Sequence, residues 1–156
     1  MSFTIEKASI ADAEEILILQ KLAYRSEAEI YGDFSIEPLA QTLDEFIKQF
    51  VDHIILKAEM DGTIIGSVRA YEKNGTCFIG KLIVHPDHQN KGIGKKLMSA
   101  IENLFSASRY ELFTGYKSEK NITLYEKLGY RIFKSSAITP NFSLVFLEKK
   151  NSWGSI

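Results

Sequence analysis

Between two apolar stretches the chain reads Leu82-Ile83-Val84-His85-Pro86-Asp87-His88-Gln89-Asn90-Lys91-Gly92-Ile93-Gly94-Lys95-Lys96-Leu97. An apolar strand runs out, a polar loop turns, and an amphipathic helix begins around two glycines. The first N–H groups of a helix have no intrahelical acceptor, and the helix dipole adds positive potential there, which makes an anion site. Gly92 and Gly94 let the backbone approach an anion with no Cβ in the way, and Lys91, Lys95 and Lys96 add charge beside it. Glycines so placed also serve simply as a tight turn and a close helix–sheet contact. Two familiar phosphate loops fail on these letters. A Walker A loop needs Ser or Thr after Gly-Lys to hold magnesium, but Gly94-Lys95 is followed by Lys96. The dinucleotide fingerprint needs three glycines after an early strand and an acid about 20 residues on, and that pattern is absent.

The other reactive side chains narrow the chemistry. Cys77 is the single cysteine. On one continuous strand it stands about 26 Å from His85, at ~3.3 Å per residue, too far for a Cys–His nucleophile pair. It reads as a small core or strand-face residue. His85 and His88 are three apart, but Pro86 prevents a regular helix there and no third ligand recurs nearby, so no metal site is expected. Charge is balanced only in total. Residues 1–60 carry 5 Lys/Arg and 12 Asp/Glu, a net of −7, whereas residues 61–156 carry 14 and 8, a net of +6. Such a division suits an anion at one end and a cation at the other, or two solvated surfaces. No aromatic-and-basic alternation extends from Lys95-Lys96, so nucleic acid is not expected as a partner.

These residues need a frame. With 156 residues, 45% hydrophobic and 25% charged, the chain suits one domain over residues 1–156 with a sizeable core. No apolar run approaches the roughly 18 residues of a membrane span. The N-terminus lacks a basic region followed by an apolar one, and one cysteine suits a reducing compartment, so a cytoplasmic protein with no membrane partner is expected. Phe3–Ala8 reads as a strand. Ser9 with Asp12, and Thr42 with Glu45, form capping boxes for two helices. The stretch from Ser26 to Pro38 reads as an irregular or partly helical crossing. Ile54–Met60, Thr63–Glu72 and Thr76–His85 read as three strands joined through Asp61-Gly62 and Asn74-Gly75, the pairs favoured in tight hairpins. Ile93, Leu97, Ile101 and Leu104 then repeat at helical spacing. Tyr110–Tyr116 returns to a strand, and Asn121–Leu128 reads as a short helix capped by Asn121 and ended by Gly129. Tyr130–Ser135 and Phe142–Lys149 close the chain as strands around a turn at Ala137–Asn141. The order β-α-α-β-β-β-α-β-α-β-β describes an α/β mixed sheet with helices on its faces.

Here the sequence resembles the GCN5-related N-acetyltransferase (GNAT) family. That family's cofactor signature is Gln/Arg-x-x-Gly-x-Gly/Ala, and Gln89-Asn90-Lys91-Gly92-Ile93-Gly94 matches it throughout. Leu82-Ile83-Val84-His85-Pro86 looks like the family's fourth strand. A second block, Asn before a short helix and then Tyr, Lys, Gly and an aromatic, is matched by Asn121 through Tyr130. The resemblance covers essentially the full chain and is weakest over Ser26–Pro38. It implies the acyl-CoA N-acyltransferase fold: a six- to seven-stranded, mostly antiparallel sheet splayed between strands 4 and 5 and flanked by about four helices.

The resemblance further implies an enzyme moving the acetyl group of acetyl-CoA to a primary amine by direct attack in a ternary complex, with no metal. Backbone N–H groups from Asn90 through Lys91, Gly92, Ile93 and Gly94 to Lys95 hold the pyrophosphate, with Gln89 opening the signature. The main chain of Ile83 and Val84 pairs with the pantetheine arm, and Asn121 sits near that arm or caps the short helix. Tyr125 stands near the thioester sulfur. On a helix Asn121, Tyr125 and Leu128 share a face, and a phenol of pKa about 10 keeps the proton that a departing thiolate needs. The base is open among Glu27 and Glu29 on the acceptor wall and His85 at the strand end, with Asp33, Tyr24 and Tyr31 in the same wall. The acidic first 60 residues suggest a cationic small-molecule or peptide amine. A non-catalytic acyl-CoA-binding regulatory module is the alternative, and a nucleotide-phosphate-binding protein of another class is a third. A homodimer through the last two strands is a further expectation.

Overall fold

The computed structural model describes residues 2–150. Its elements are β1 (Thr4–Lys7), a 3-10 turn (Ile10–Asp12), α1 (Ala13–Ala23), α2 (Arg25–Tyr31), α3 (Glu37–Ala40), α4 (Leu43–Gln49), β2 (Ile54–Met60), β3 (Thr63–Lys73), β4 (Thr76–Val84), a second 3-10 turn (Pro86–His88), α5 (Ile93–Asn103), β5 (Arg109–Gly115), α6 (Glu119–Lys127), β6 (Arg131–Thr139) and β7 (Phe142–Lys150). The strands form one sheet in the order β1-β2-β3-β4-β5-β7-β6. Asp61-Gly62 and Asn74-Gly75 all take positive φ, as a tight turn matched to strand twist requires. β1 through β4 are accordingly antiparallel neighbours.

The junction of β4 and β5 is different. These strands are parallel and pair only at Thr76, Cys77 and Phe78 against Arg109, Tyr110 and Glu111. Past Phe78, β4 runs on to Val84 and β5 to Gly115 without pairing, so the sheet opens into a V. β4 is bent there by a bulge. Lys81 takes φ 52°, and the register with β3 slips between Ser67 and Arg69. A bulge increases local twist and re-aims side chains, which helps carry β4 away from β5.

Helices cover the sheet unequally. On one face Ile93, Leu97, Met98 and Ile101 of α5 are buried with Val68, Ala70, Ile79, Leu112 and Leu147. On the other, Ala13, Ile16, Leu17 and Leu19 of α1 and Phe46 of α4 bury Ile55, Ile64 and Ile83. α4 begins at the expected capping box: Glu45 N donates to Thr42 Oγ1 at 3.2 Å, and Thr42 N donates to Glu45 Oε1 at 2.8 Å. Among the described residues no helix is long and apolar enough to cross a membrane.

Three local expectations change. The crossing at Ser26–Pro38 is largely ordered helix: α2 ends at Gly32 with φ 63°, and Pro38 sits in the first turn of α3. Asn121 does not cap α6. The helix begins two residues earlier with Ser118 at the cap position, and Ile122 N donates to Ser118 O at 3.0 Å. β6 continues through Ala137 to Thr139, because Thr139 pairs with Phe142 and bulges along β6 absorb the offset.

Candidate active site

The V is lined from below by the open edge of β4. Ile83 and Val84 pair with Ser67 and Gly66 of β3 on one side and, among the described residues, with no strand on the other. Backbone groups facing the gap can therefore pair with an extended chain laid along β4, much as an added strand would. At its end His85 N donates to Ile65 O at 2.8 Å, and Asp87 N donates to His85 Nδ1 at 3.0 Å. A neutral imidazole has one acceptor nitrogen, so the His85 lone pair is engaged in the turn.

The loop then curls around two left-handed residues, Asn90 at φ 63° and Gly92 at φ 81°. α5 starts immediately afterwards, and its first backbone bond runs from Lys96 N to Gly92 O at 3.1 Å. The N–H groups of Ile93, Gly94 and Lys95 precede any intrahelical acceptor and form the positive end of an 11-residue helix. Successive amides around a left-handed residue make a concave nest suited to a diphosphate. Lys91, Lys95 and Lys96 are exposed around it. A Cβ on Gly94 would lie 3.6 Å from Leu124 and 3.8 Å from Leu82 and Val84, so the nest adjoins the junction of α5, α6 and β4.

Across the V, α6 supplies Tyr125. Its ring is buried and lies edge-on to Tyr130, 6.2 Å between centroids. Burial raises the Tyr125 phenol above its ordinary value, and Tyr24 and Glu27 add to the rise. The phenol therefore keeps its proton through neutral pH. Tyr24, at the end of α1, is raised by burial as well, while Arg69 acts in the opposite sense. Asn121 Nδ2 donates to Thr114 Oγ1 at 3.4 Å and ties α6 to β5.

α2 is latched across this corner. Ser118 Oγ donates a short hydrogen bond to Glu27, which places a carboxylate at the start of α6, where the dipole favours it. Lys117 N donates to the Tyr31 hydroxyl at 2.8 Å, and the Tyr31 ring stands edge-on to Phe142, 4.7 Å between centroids. This latch needs Gly115, since a Cβ there would fall 2.1 Å from the Tyr31 hydroxyl. Beside it opens a cleft of about 330 Å³ lined in part by Tyr31, Asp33, Ile36, Thr139, Asn141 and Phe142. The structure thus brings Glu27 to Tyr24 and Tyr125. Glu29 is exposed on α2, and His85 remains on the turn beyond β4.

Sequence reasoning missed a cationic group under the same wall. Arg69 of β3 is 2% exposed, with its guanidinium carbon 4.1 Å from the centre of the Phe46 ring. Its Nη1 donates to Gln49 Oε1 at 2.5 Å and to Gln41 Oε1 at 3.4 Å, and its Nη2 donates to Gln20 Oε1. Burial brings its pKa down to about 10, which leaves it charged at neutral pH. Lys81, at the bulge, reaches Glu37 Oε2 at 2.7 Å. Two signals marked them: a charge inside the apolar run Ile64–Ala70, and Gly80 inside a strand, a common sign of a bulge.

A sheet split between its fourth and fifth strands, with a left-handed loop and a helix start at the mouth of the split, defines an acyl-CoA transferase architecture. Comparisons with known proteins agree. PaiA N-acetyltransferase from Thermoplasma acidophilum, solved in complex with coenzyme A, superposes with a TM-score of 0.82 at 20% identity, covering 97% of this chain and 100% of that one. Residues 16–130 match the model of the acetyltransferase (GNAT) family, and the chain belongs to that family. UPF0157 protein YqkA of Bacillus subtilis is 32% identical over 121 residues, 76% of this chain and 34% of the relative, so the chain spans about a third of that protein. L-methionine sulfoximine/L-methionine sulfone acetyltransferase of Salmonella typhimurium is 25% identical over 137 residues, 83% of this chain and 80% of the relative.

Proposed function

We propose that the chain is an N-acetyltransferase that moves the acetyl group of acetyl-CoA to a primary amine by direct attack in a ternary complex. The observation that carries this reading is the V between β4 and β5, with an amide nest from Asn90 to Lys95 at one end and the protonated Tyr125 across it. The nest holds the pyrophosphate, with Lys91 and Lys95 beside it and Gln89 leading into it. The main chain of Ile83 and Val84 pairs with the pantetheine arm, and Asn121 flanks it. The acceptor arrives as an ammonium, drawn by Glu27 and the acidic first 60 residues, and loses a proton to Glu27 through water. Its nitrogen attacks the thioester carbon. The C–S bond breaks, the thiolate takes the Tyr125 proton, and the attacking nitrogen gives up its second proton to water, from which Tyr125 is reprotonated.

A covalent acetyl-enzyme is disfavoured at Cys77. That residue is fully buried, and burial pushes its thiol up to about 12, with Glu72 and Glu102 adding. A single cysteine, with no second one for an internal disulfide, is the feature that supports a cytoplasmic setting. The edge strand β6, exposed along its whole length, supports a homodimer.

Thiol release from acetyl-CoA across a panel of amines, with product masses, tests the activity. Amino acids, amino sugars, polyamines and peptide amines belong in that panel. Acetyl-CoA binding with no amine acetylated would instead favour a regulatory acyl-CoA-binding module.

A further inference from the structure

The acceptor wall holds a buried cation, Arg69, that no carboxylate meets in a hydrogen bond. Every oxygen that Arg69 meets in a hydrogen bond belongs to a neutral carboxamide, that of Gln20, Gln41 or Gln49. Its Nε is buried and has no partner among the described residues. Buried guanidinium groups ordinarily face carboxylates, because an unbalanced charge in a low-dielectric interior is costly. This protein observes that rule elsewhere. Between α5 and β7, Lys149 Nζ donates to Glu102 Oε1 at 2.6 Å and the Tyr130 hydroxyl donates to Glu102 Oε2 at 2.6 Å, one cation against one anion.

Lys81 adds a second cation to the Arg69 side. Its side chain is 15% exposed, and its partner Glu37 is 63% exposed, on the four-residue α3. Glu37 is also the carboxylate whose charge reaches Arg69 and Tyr24. An exposed carboxylate on a short helix is held weakly, so another anion can replace it at little cost. Backbone and side-chain contacts join this group to Tyr24. Arg69 pairs in register with Gly80 beside Lys81, and Gln20 joins Arg69 to Pro38 O at 2.9 Å next to Glu37. Tyr24 N donates to Gln20 O at 3.0 Å one helical turn on.

We propose that the acceptor carries an oxyanion, a carboxylate or a phosphate, a few bonds from its amine, and that Lys81 binds this oxyanion in place of Glu37, with the fixed charge of Arg69 behind it. The proposal rests on the N-acetyltransferase reading and adds the substrate class. The oxyanion replaces Glu37 charge for charge, and the ammonium at the other end of the molecule faces Glu27. Net negative charge draws the amine inward, and half-buried Lys81 with buried Arg69 behind it orients the remainder.

The test uses matched acceptors with saturating acetyl-CoA: α-amino acids against their amides and decarboxylated amines, and amino sugars with and without a phosphate. The oxyanion-bearing member is expected to lead by about 10-fold or more in kcat/KM, and the leading set tells carboxylate from phosphate. Glu37→Gln gives the sharpest sign. Glu37 is largely exposed, so the fold tolerates the change, and removing a competing carboxylate lowers the acceptor KM by about 3- to 10-fold. Lys81→Met raises that KM by about 10- to 100-fold, and neither change moves the KM for acetyl-CoA. Preference for the plain amines or polyamines, or a higher acceptor KM in Glu37→Gln, overturns the oxyanion and leaves the N-acetyltransferase standing. Bound acetyl-CoA with no amine acetylated overturns both.

Discussion

The two sides of the V are built from different materials. The proposed donor side is one continuous stretch, Ile83 to Lys95, whose means are backbone: an unpaired strand edge, left-handed turns and a helix start. The proposed acceptor side gathers Tyr24 from the end of α1, Glu27 and Tyr31 from α2, Glu37 from α3, Arg69 from β3, Lys81 from β4 and Tyr125 from α6. Substitutions on the first side act through φ and ψ. On the second they act through contacts between elements remote in sequence.

Replacing Tyr125 by Phe has the largest expected effect, because it removes the proposed proton donor while keeping the ring against Tyr130. Steady-state kinetics should show kcat lower by about 100-fold with acetyl-CoA affinity within about twofold. An equal loss in both quantities would erase the separation between the two sides. Gly92→Ala acts on the donor side alone. A Cβ at φ 81° costs about 1–2 kcal/mol. Calorimetry should therefore find acetyl-CoA bound about 10-fold more weakly, with the acceptor KM unchanged.

Gly115→Ala is the reciprocal variant. Its Cβ displaces Tyr31 and loosens α2, so the acceptor KM should rise by about 5-fold while acetyl-CoA affinity holds, a change of about 1 kcal/mol. Alkaline pH acts on the whole fold and not on one side of the V, and leaves activity at neutral pH untouched. Tyr24, Tyr125 and Tyr130 all have phenols raised by burial, so the unfolded chain releases their protons at about pH 10 while the folded chain retains them. Their contribution is complete below pH 10 and is lost as pH rises above it. The unfolding free energy should fall there by up to about 1.4 kcal/mol per pH unit for each phenol, read as a falling Tm in thermal melts. Phenylalanine at position 125 should flatten part of that slope.

Much of the frame was legible because its signals are local. Asp61-Gly62 and Asn74-Gly75 turn where positive φ is needed, and the Thr42–Glu45 box opens α4 as read. The signature Gln89–Gly94 lies on the loop that enters α5, at the mouth of the split. Errors arose where distant residues decide. Asn121 looked like a cap by type, but Ser118, held by Glu27 from α2, occupies that position. The stretch from Ser26 to Pro38 looked irregular because its helices are short and owe their packing to other elements, as in the Tyr31 contact with Gly115. Glu27 and Glu29 were equivalent as letters, and only the helix orientation carried Glu27 to Ser118.

By itself the sequence determined the order of the strands, the hairpins and the glycine loop that enters α5, since each depends on residues within a few positions of one another. Tertiary structure alone decided that β4 and β5 part after Phe78, that Glu27 meets Ser118, and that Arg69 is buried among three glutamines while Lys81 meets Glu37. The physical reason is range. Backbone conformation follows from neighbouring residues, whereas a buried charge is defined by whatever the whole fold packs around it.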